Sequence, residues 1–323
     1  MKCPFPLPAI PKGNVTKVYD PHGTIRELLD YIDCAMRNDA IFVGSIVGNY
    51  GFGKTHILLY VKNYIESHYK KAFTVYVPSP GMSFKDLYKI IMNKVLSIIE
   101  SQPKIANQSG STLGIALKVI VSNSDSSYFI RQWILGESVP LKYRQKYGLG
   151  SNLNDEKSLN LLLEALRLMR DAGFSPIAIL IDEVENIATY ASVKKLRYLN
   201  YLREMLDLLV PQSVLLVAST PAGWNEIINT HPALARRLSS YVLYLKPFNK
   251  EQVREFLKFY IGKDSIDSEW LLSDPIVDAI YEYSNGNPGE VLKFAYLLYM
   301  YAKTNNEREL DSEIAKEVIS KYV

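Results

Sequence analysis

Apolar residues recur along this chain in two rhythms. Over residues 25–36 they fall at Ile25, Leu28, Leu29, Ile32 and Met36, the spacing of one helical face. Residues 40–47 (AIFVGSIV) form a short, almost wholly apolar run, as expected of a strand covered on both faces. Helical spacing returns over 55–70 with Ile57, Leu58, Val61, Tyr64 and Ile65, and residues 73–77 (FTVYV) read as a second strand. PSPGMS breaks that strand, and Ser83 with Asp86 three positions on forms a capping box opening a helix to Glu100. A further helix over 156–172 closes at Gly173, where a C-terminal glycine belongs. Strands follow at 177–181, 214–218 and 241–245, with a basic amphipathic helix over 193–209. After Pro247 the strands stop, and 250–323 predicts three or four helices with a break at SNGNPGE (284–290).

Strands alternating with helices imply a mostly parallel sheet with helices on both faces, and the helical tail implies a second, smaller domain. The 323 residues suit two domains. The expected division is a Pro-rich arm over 1–18, an α/β core over 19–248 and a helical domain over 249–323. Residues 101–128, rich in Ser, Asn and Gln, interrupt the alternation around an apolar island at 113–121. With the aromatic and basic stretch after them they read as an insertion at about 101–150.

Composition narrows the setting. Hydrophobic residues make up 48% and charged residues 22%, which is ordinary for a globular protein, and the net charge of +3 announces no nucleic-acid or membrane partner. With two cysteines, no CxxC pair and scattered histidines, a disulfide framework or zinc site is not expected. The N-terminus carries four prolines in MKCPFPLPAIPKG and does not read as a signal peptide, and no run reaches the ~18 apolar residues of a membrane span. The expectation is a cytoplasmic protein without a membrane partner.

The chemistry concentrates in GNYGFGKT, which fits G-x-x-x-x-G-K-[ST]. Glycines let the backbone curl so that several N–H groups point into one hollow, and the positive end of a helix dipole is added there. The candidate nucleotide-binding residues are therefore Gly48, Asn49, Tyr50, Gly51, Phe52, Gly53, Lys54, Thr55 and His56. Lys54 would reach the β- and γ-phosphates of ATP, and the Thr55 hydroxyl would ligate Mg2+. The motif follows a strand and opens a helix, the context it requires.

A second signal is IAILIDEVE (177–185), a buried strand ending in two acids. Such a strand end is where ligands bind in parallel sheets. Asp182 would hold Mg2+ directly or through water, and Glu183 would act as general base on the attacking water. A third is VLLVASTP (214–221), ending in Ser219 and Thr220; a hydroxyl there either meets the γ-phosphate or simply forms a strand-end turn.

In this order the signals resemble the AAA+ P-loop ATPases. Gly48–Thr55 matches Walker A, IAILIDE matches Walker B, and Thr220 falls where a polar sensor 1 residue belongs. The resemblance implies a five-stranded sheet of order 5-1-4-3-2, a C-terminal all-helical lid, and ATP hydrolysis with ATP and ADP as ligands. It also implies a homo-oligomer in which an arginine before the last strand reaches the neighbour's γ-phosphate. HPALARRLSSYVLYL offers Arg236 and Arg237, with Arg237 closer to the family form. At the lid's sensor 2 arginine this chain has Gly289, with Lys293 one turn on. Tyr19, Pro21 and Arg26 in YDPHGTIRELLDYI lie where initiator-like ATPases place their adenine-side segment. RQWILGE (131–137), LIDEVENI, RYLNYLREMLD, STP and PALARRL look like the ATP-binding proteins of BREX phage-defence systems. Origin-recognition initiators are similar more loosely; their winged-helix domain after the lid is not expected here, since the sequence stops at Val323.

Two functions follow from the resemblance. One is an ATP-driven oligomeric switch working on or beside DNA, with KKLRYLNYLR (194–203) and PLKYRQKYG (140–148) as candidate DNA surfaces. The other is a nucleotide-gated signalling or assembly module acting on a protein partner, with RQWILGE either a partner element or a buried packing segment.

Overall fold

The computed structural model of the chain describes residues 5, 15–261, 266–307 and 309–322. Most of the Pro-rich arm therefore lies outside the described residues. Five strands form one sheet: β1 (Phe42–Val47), β2 (Phe73–Val77), β3 (Ile177–Ile181), β4 (Ser213–Ser219) and β5 (Val242–Tyr244). Their order is β2-β3-β4-β1-β5, the implied 5-1-4-3-2 order read from the other edge. The β1–β4, β2–β3 and β3–β4 pairs are parallel. β1 starts two residues later than the apolar run because the Ala40 amide donates to Ala35 O at 2.9 Å and closes the preceding helix, Thr24–Arg37.

β3 and β4 are buried along their whole length, which is why their sequences do not alternate. Ile177, Ile179 and Ile181 join a large core with helices Phe84–Ser101, Asp155–Asp171 and Ser192–Asp207. Each such side chain contributes roughly 2 kcal/mol by leaving water. The capping box is present: the Asp86 carboxylate accepts from the Ser83 amide at 2.8 Å. At Gly173 the backbone is left-handed, with φ +86°, and the Gly173 and Phe174 amides return to the carbonyls of Arg170 and Met169. This is the double bond of a Schellman stop.

The stretch read as an insertion contributes to that same core. A 3-10 turn (Pro103–Gln108) and helices Thr112–Val121, Ser127–Ile134 and Leu141–Lys146 supply Leu113, Leu117, Ile130 and Ile134 to it. Trp133 is buried and its indole N–H donates to Ser151 O at 3.2 Å, so the middle of RQWILGE packs inward while Arg131, Gln132 and Glu137 stay half-buried.

The chain forms two compact units that interleave along the sequence. One comprises Glu27–Val47 and Val61–Leu243. The other comprises Met1–Arg26, Gly48–Tyr60 and Tyr244–Val323. The second unit has its own core, built on helices Lys250–Ile261, Asp274–Ser284, Pro288–Thr304 and Ser312–Ser320. The break at 284–290 is a left-handed pair, Asn285 and Gly286. A Cβ on Gly286 would meet Phe248 O at 1.9 Å, so only glycine fits there.

Candidate nucleotide-binding site

The glycine-rich segment begins at Gly48, directly after β1 ends at Val47. Gly51 and Gly53 have φ of +81° and +86°, values that side chains rarely adopt, and the loop runs straight into helix Lys54–His68. Lys54 is 8% exposed. Its ammonium donates to Gly48 O at 2.8 Å and to Asn49 O at 3.2 Å, and sits 5.2 Å from the Tyr50 ring centre. The Phe52 amide donates back to Asn49 O, which tightens the curl. Thr55 is the second residue of the helix. His56 is placed differently: its Nε2 lies 2.8 Å from Lys17 O, so the ring is engaged by the segment before the first helix.

The same compact unit places the N-terminus of helix Pro288–Thr304 on this loop. The Gly289 amide donates to Gly51 O at 2.9 Å, and Asn287 Nδ2 donates to Tyr50 O at 3.0 Å. Asn287 also caps its own helix, its Oδ1 accepting from the Gly289 amide at 3.0 Å. Lys293, one turn on, is occupied elsewhere: it pairs with Glu290 at 2.9 Å and donates to Tyr322 O. Tyr19 packs against Phe248, Phe256 and Phe259, and burial together with the nearby Glu255 and Glu251 charges pushes its phenol up. Pro21 and Arg26 are exposed, and the Asp20 carboxylate caps the first helix by accepting from the Ile25 and Arg26 amides at 3.0 Å.

The other unit carries the acidic strand end. Asp182 follows β3 and is only 2% exposed. Its Oδ2 accepts from the Tyr76 hydroxyl at 3.0 Å and its Oδ1 from the Glu183 amide at 2.9 Å. Glu183 is exposed and left-handed, with φ 52° and ψ 40°. For a residue with a Cβ this conformation costs on the order of 1–2 kcal/mol, and such strain gathers at functional sites. Asn186 Nδ2 bridges it, lying 3.1 Å from Glu183 Oε2 and 3.2 Å from Ser79 Oγ. Thr220 ends β4 and caps helix Pro221–Thr230, its hydroxyl oxygen accepting from the Gly223 amide at 3.2 Å. The hydroxyl proton remains to donate.

The two candidate arginines separate sharply. Arg237 forms a forked pair with Asp207, donating from Nε and from Nη2, the latter at 2.9 Å, and Nη1 donates to Ala233 O. Arg236 is exposed and has no hydrogen bond or ion pair among the described residues. The Asp207 carboxylate that holds Arg237 lies thirty positions away in the chain.

The sequence reading did not single out Tyr76, Ser79 and Asn186 beside the acidic strand end, or Asn287 against the glycine-rich loop. Asn287 had a visible signal, an Asn directly before a Pro at a helix start. The others are joined to the site only by folding. Among the described residues no group of three or more His, Cys, Asp or Glu is placed to hold a metal by itself. No helix among the described residues is long and apolar enough to cross a membrane.

The model of a family described as BREX system ATP-binding protein BrxC/D matches residues 121–271. No curated protein matches the sequence. Among solved structures, the Aeropyrum pernix ORC1 protein in complex with DNA superposes with a TM-score of 0.59 at 13% identity, covering 99% of this chain and 71% of that one. The Aeropyrum pernix ORC2 protein in its ADPNP–ADP complexes gives 0.56 at 14%, covering 94% and 68%. Domain III of the Thermotoga maritima replication initiation protein DnaA gives 0.52 at 15%, covering 95% of each. At these identities the likeness is one of fold: a five-stranded parallel sheet with a helical C-terminal region, as the resemblance to AAA+ proteins implied.

Proposed function

We propose that this chain binds ATP with Mg2+ and hydrolyses it to drive a conformational switch in an oligomer associated with DNA transactions or defence against mobile elements. The observation that carries the reading is the loop of Gly48–Thr55, curled by two left-handed glycines with the Lys54 ammonium drawn against its carbonyls at the end of β1. Phosphate oxygens would replace those carbonyls as partners of Lys54, while the loop and helix N–H groups hold the anion.

The Walker-type residues share the work as follows. Thr55 and Asp182 hold Mg2+, which when bound neutralises charge on the transferring phosphate. Glu183 takes a proton from water as that water bonds to the γ-phosphorus, and the bond to the ADP oxygen breaks. Thr220 donates its free hydroxyl proton to the γ-phosphate or the water. β1 and β3 belong to one sheet, and each runs into its motif at its C-terminal end, where ligands bind in parallel sheets. Arg236 is the arginine offered to a neighbouring copy, which makes turnover depend on assembly. The functional division is a nucleotide-binding core over 19–248 and a helical lid over 249–323.

The match to BrxC/D and the likeness in fold to an ORC1 protein solved in complex with DNA support the DNA and defence setting. A second reading, a nucleotide-gated module acting on a protein partner, draws on the direct hydrogen bonds between the loop and Asn287 and Gly289, through which a phosphate could move a helix. ATP hydrolysis measured at low salt with and without double-stranded DNA separates the two. Stimulation by DNA supports the first, and an unchanged rate favours the second.

A further inference from the structure

Helix Leu141–Lys146 has no buried residue, yet it is pinned in place. Tyr143 stacks on Phe129 of helix Ser127–Ile134 with ring centres 3.8 Å apart and planes 13° from parallel. The Lys146 ammonium lies 3.5 Å from Ser126 Oγ at the start of that second helix. Beside the stacked pair, Tyr128 is 65% exposed and meets Phe129 edge to face. An aromatic step with an open ring at its edge results.

Cations outnumber acids on this face, whose nearest acids in the sequence are Asp125 and Glu137 at its edges. Residues 138–154 contain Lys142, Arg144 and Lys146 and no acid, and helix Ser127–Ile134 contains none either. None of the three cations pairs with a carboxylate among the described residues. Arg144 is oriented by neutral carbonyls, those of Val139 and Gly150 at 3.0 and 2.9 Å, so its charge stays uncompensated. In the basic helix Ser192–Asp207, the other candidate surface, two of the four cations sit beside carboxylates. There Lys195 pairs with Glu226 at 2.5 Å and Arg203 lies 3.9 Å from Glu204.

We infer that the face formed by Tyr128, Phe129, Lys142, Tyr143, Arg144 and Lys146 binds single-stranded nucleic acid, with phosphates along the three cations and a base stacked on Tyr128. Lone cations on a mixed-charge surface would serve any anion. Cations interleaved with a fixed, open ring suit a polymer that alternates phosphates with flat bases, and a duplex keeps its bases stacked away from such a ring. The inference deepens the proposed link to DNA, and it does not depend on ATP turnover.

The test is fluorescence anisotropy of a labelled oligothymidylate of about 20 nucleotides, and of a duplex of equal length, titrated with the full chain at several salt concentrations. The expected result is binding to the single strand with log affinity falling against log salt at a slope of about −2 for three phosphate contacts. Lys142→Glu combined with Lys146→Glu should lower affinity at least about tenfold and flatten the slope. Tyr128→Ala should lower single-strand affinity about tenfold and leave the slope alone. These side chains lie on the surface, so nucleotide binding by each variant should match the parent and report an intact fold. Absence of single-strand binding at low salt, an unchanged affinity in the double variant, or equal duplex binding indifferent to Tyr128→Ala would each overturn the inference. So would charge-dependent binding to anionic phospholipid vesicles with none to the oligonucleotide. A chain that binds the oligonucleotide through this face but never hydrolyses ATP would sink the ATPase reading alone.

Discussion

The amide of Gly289 donates to the carbonyl of Gly51 at 2.9 Å, so the first turn of a C-terminal helix rests on the backbone of the phosphate loop. The approach is tight on both sides. A Cβ at 289 would lie 3.0 Å from Gly51 O and 3.1 Å from its Cα, and one at 51 would meet Asn287 Oδ1 at 2.5 Å. A family pattern that places arginine at 289 is therefore met here by two backbones in contact.

Gly289→Arg should push the helix off the loop and lower stability by about 1–3 kcal/mol, as overpacking does elsewhere. Denaturant unfolding without nucleotide checks it. A variant as stable as the parent would show that the contact yields freely.

Lys54→Ala should remove nucleotide binding, because the ammonium is the one charge drawn into the loop. Glu183→Gln should keep binding while turnover falls about 10²–10⁴-fold. Equilibrium binding of a labelled ATP analogue and a phosphate-release assay read the two effects separately.

Arg236→Ala should lower turnover about 10³-fold in the assembled protein, with ATP affinity of the isolated subunit unchanged. Arg237→Ala should instead cost about 1 kcal/mol of stability, since its partly exposed fork on Asp207 ties helix Pro232–Leu238 to helix Ser192–Asp207. Turnover and thermal unfolding of both variants decide the assignment; equal turnover in the two would remove Arg236 from the mechanism.

Tyr76→Phe deletes the hydroxyl that donates to Asp182 Oδ2. Groups that orient a metal's carboxylate typically change affinity or activity 10–100-fold, so half-maximal turnover should require about tenfold more Mg2+. A Mg2+ titration of the rate that coincides with the parent's would place Tyr76 outside the site.

The sequence was most legible where local chemistry fences an element. The bounds of β2 and β3 follow from apolar runs closed by Pro78 and Asp182, and the helix ending at Asp171 stops at the glycine that can turn left-handed. The phosphate loop was legible because strand, glycines, lysine and helix are contiguous. Long-range claims on a side chain were not. Nothing near Arg237 announces Asp207, nothing near Asp182 announces Tyr76, and RQWILGE reads equally as surface or core until Trp133 is seen buried with its N–H on Ser151. His56 shows the same limit, since Lys17 engages it from a segment that pattern alone leaves unplaced.

The most direct test of the central claim is single-turnover hydrolysis of ATP by the purified chain beside its Glu183→Gln variant, with Mg2+ present and then chelated. The account predicts Mg2+-dependent phosphate release by the parent and bound, unhydrolysed ATP in the variant. Hydrolysis at the parent's rate in Glu183→Gln, or in the presence of chelator, would contradict it.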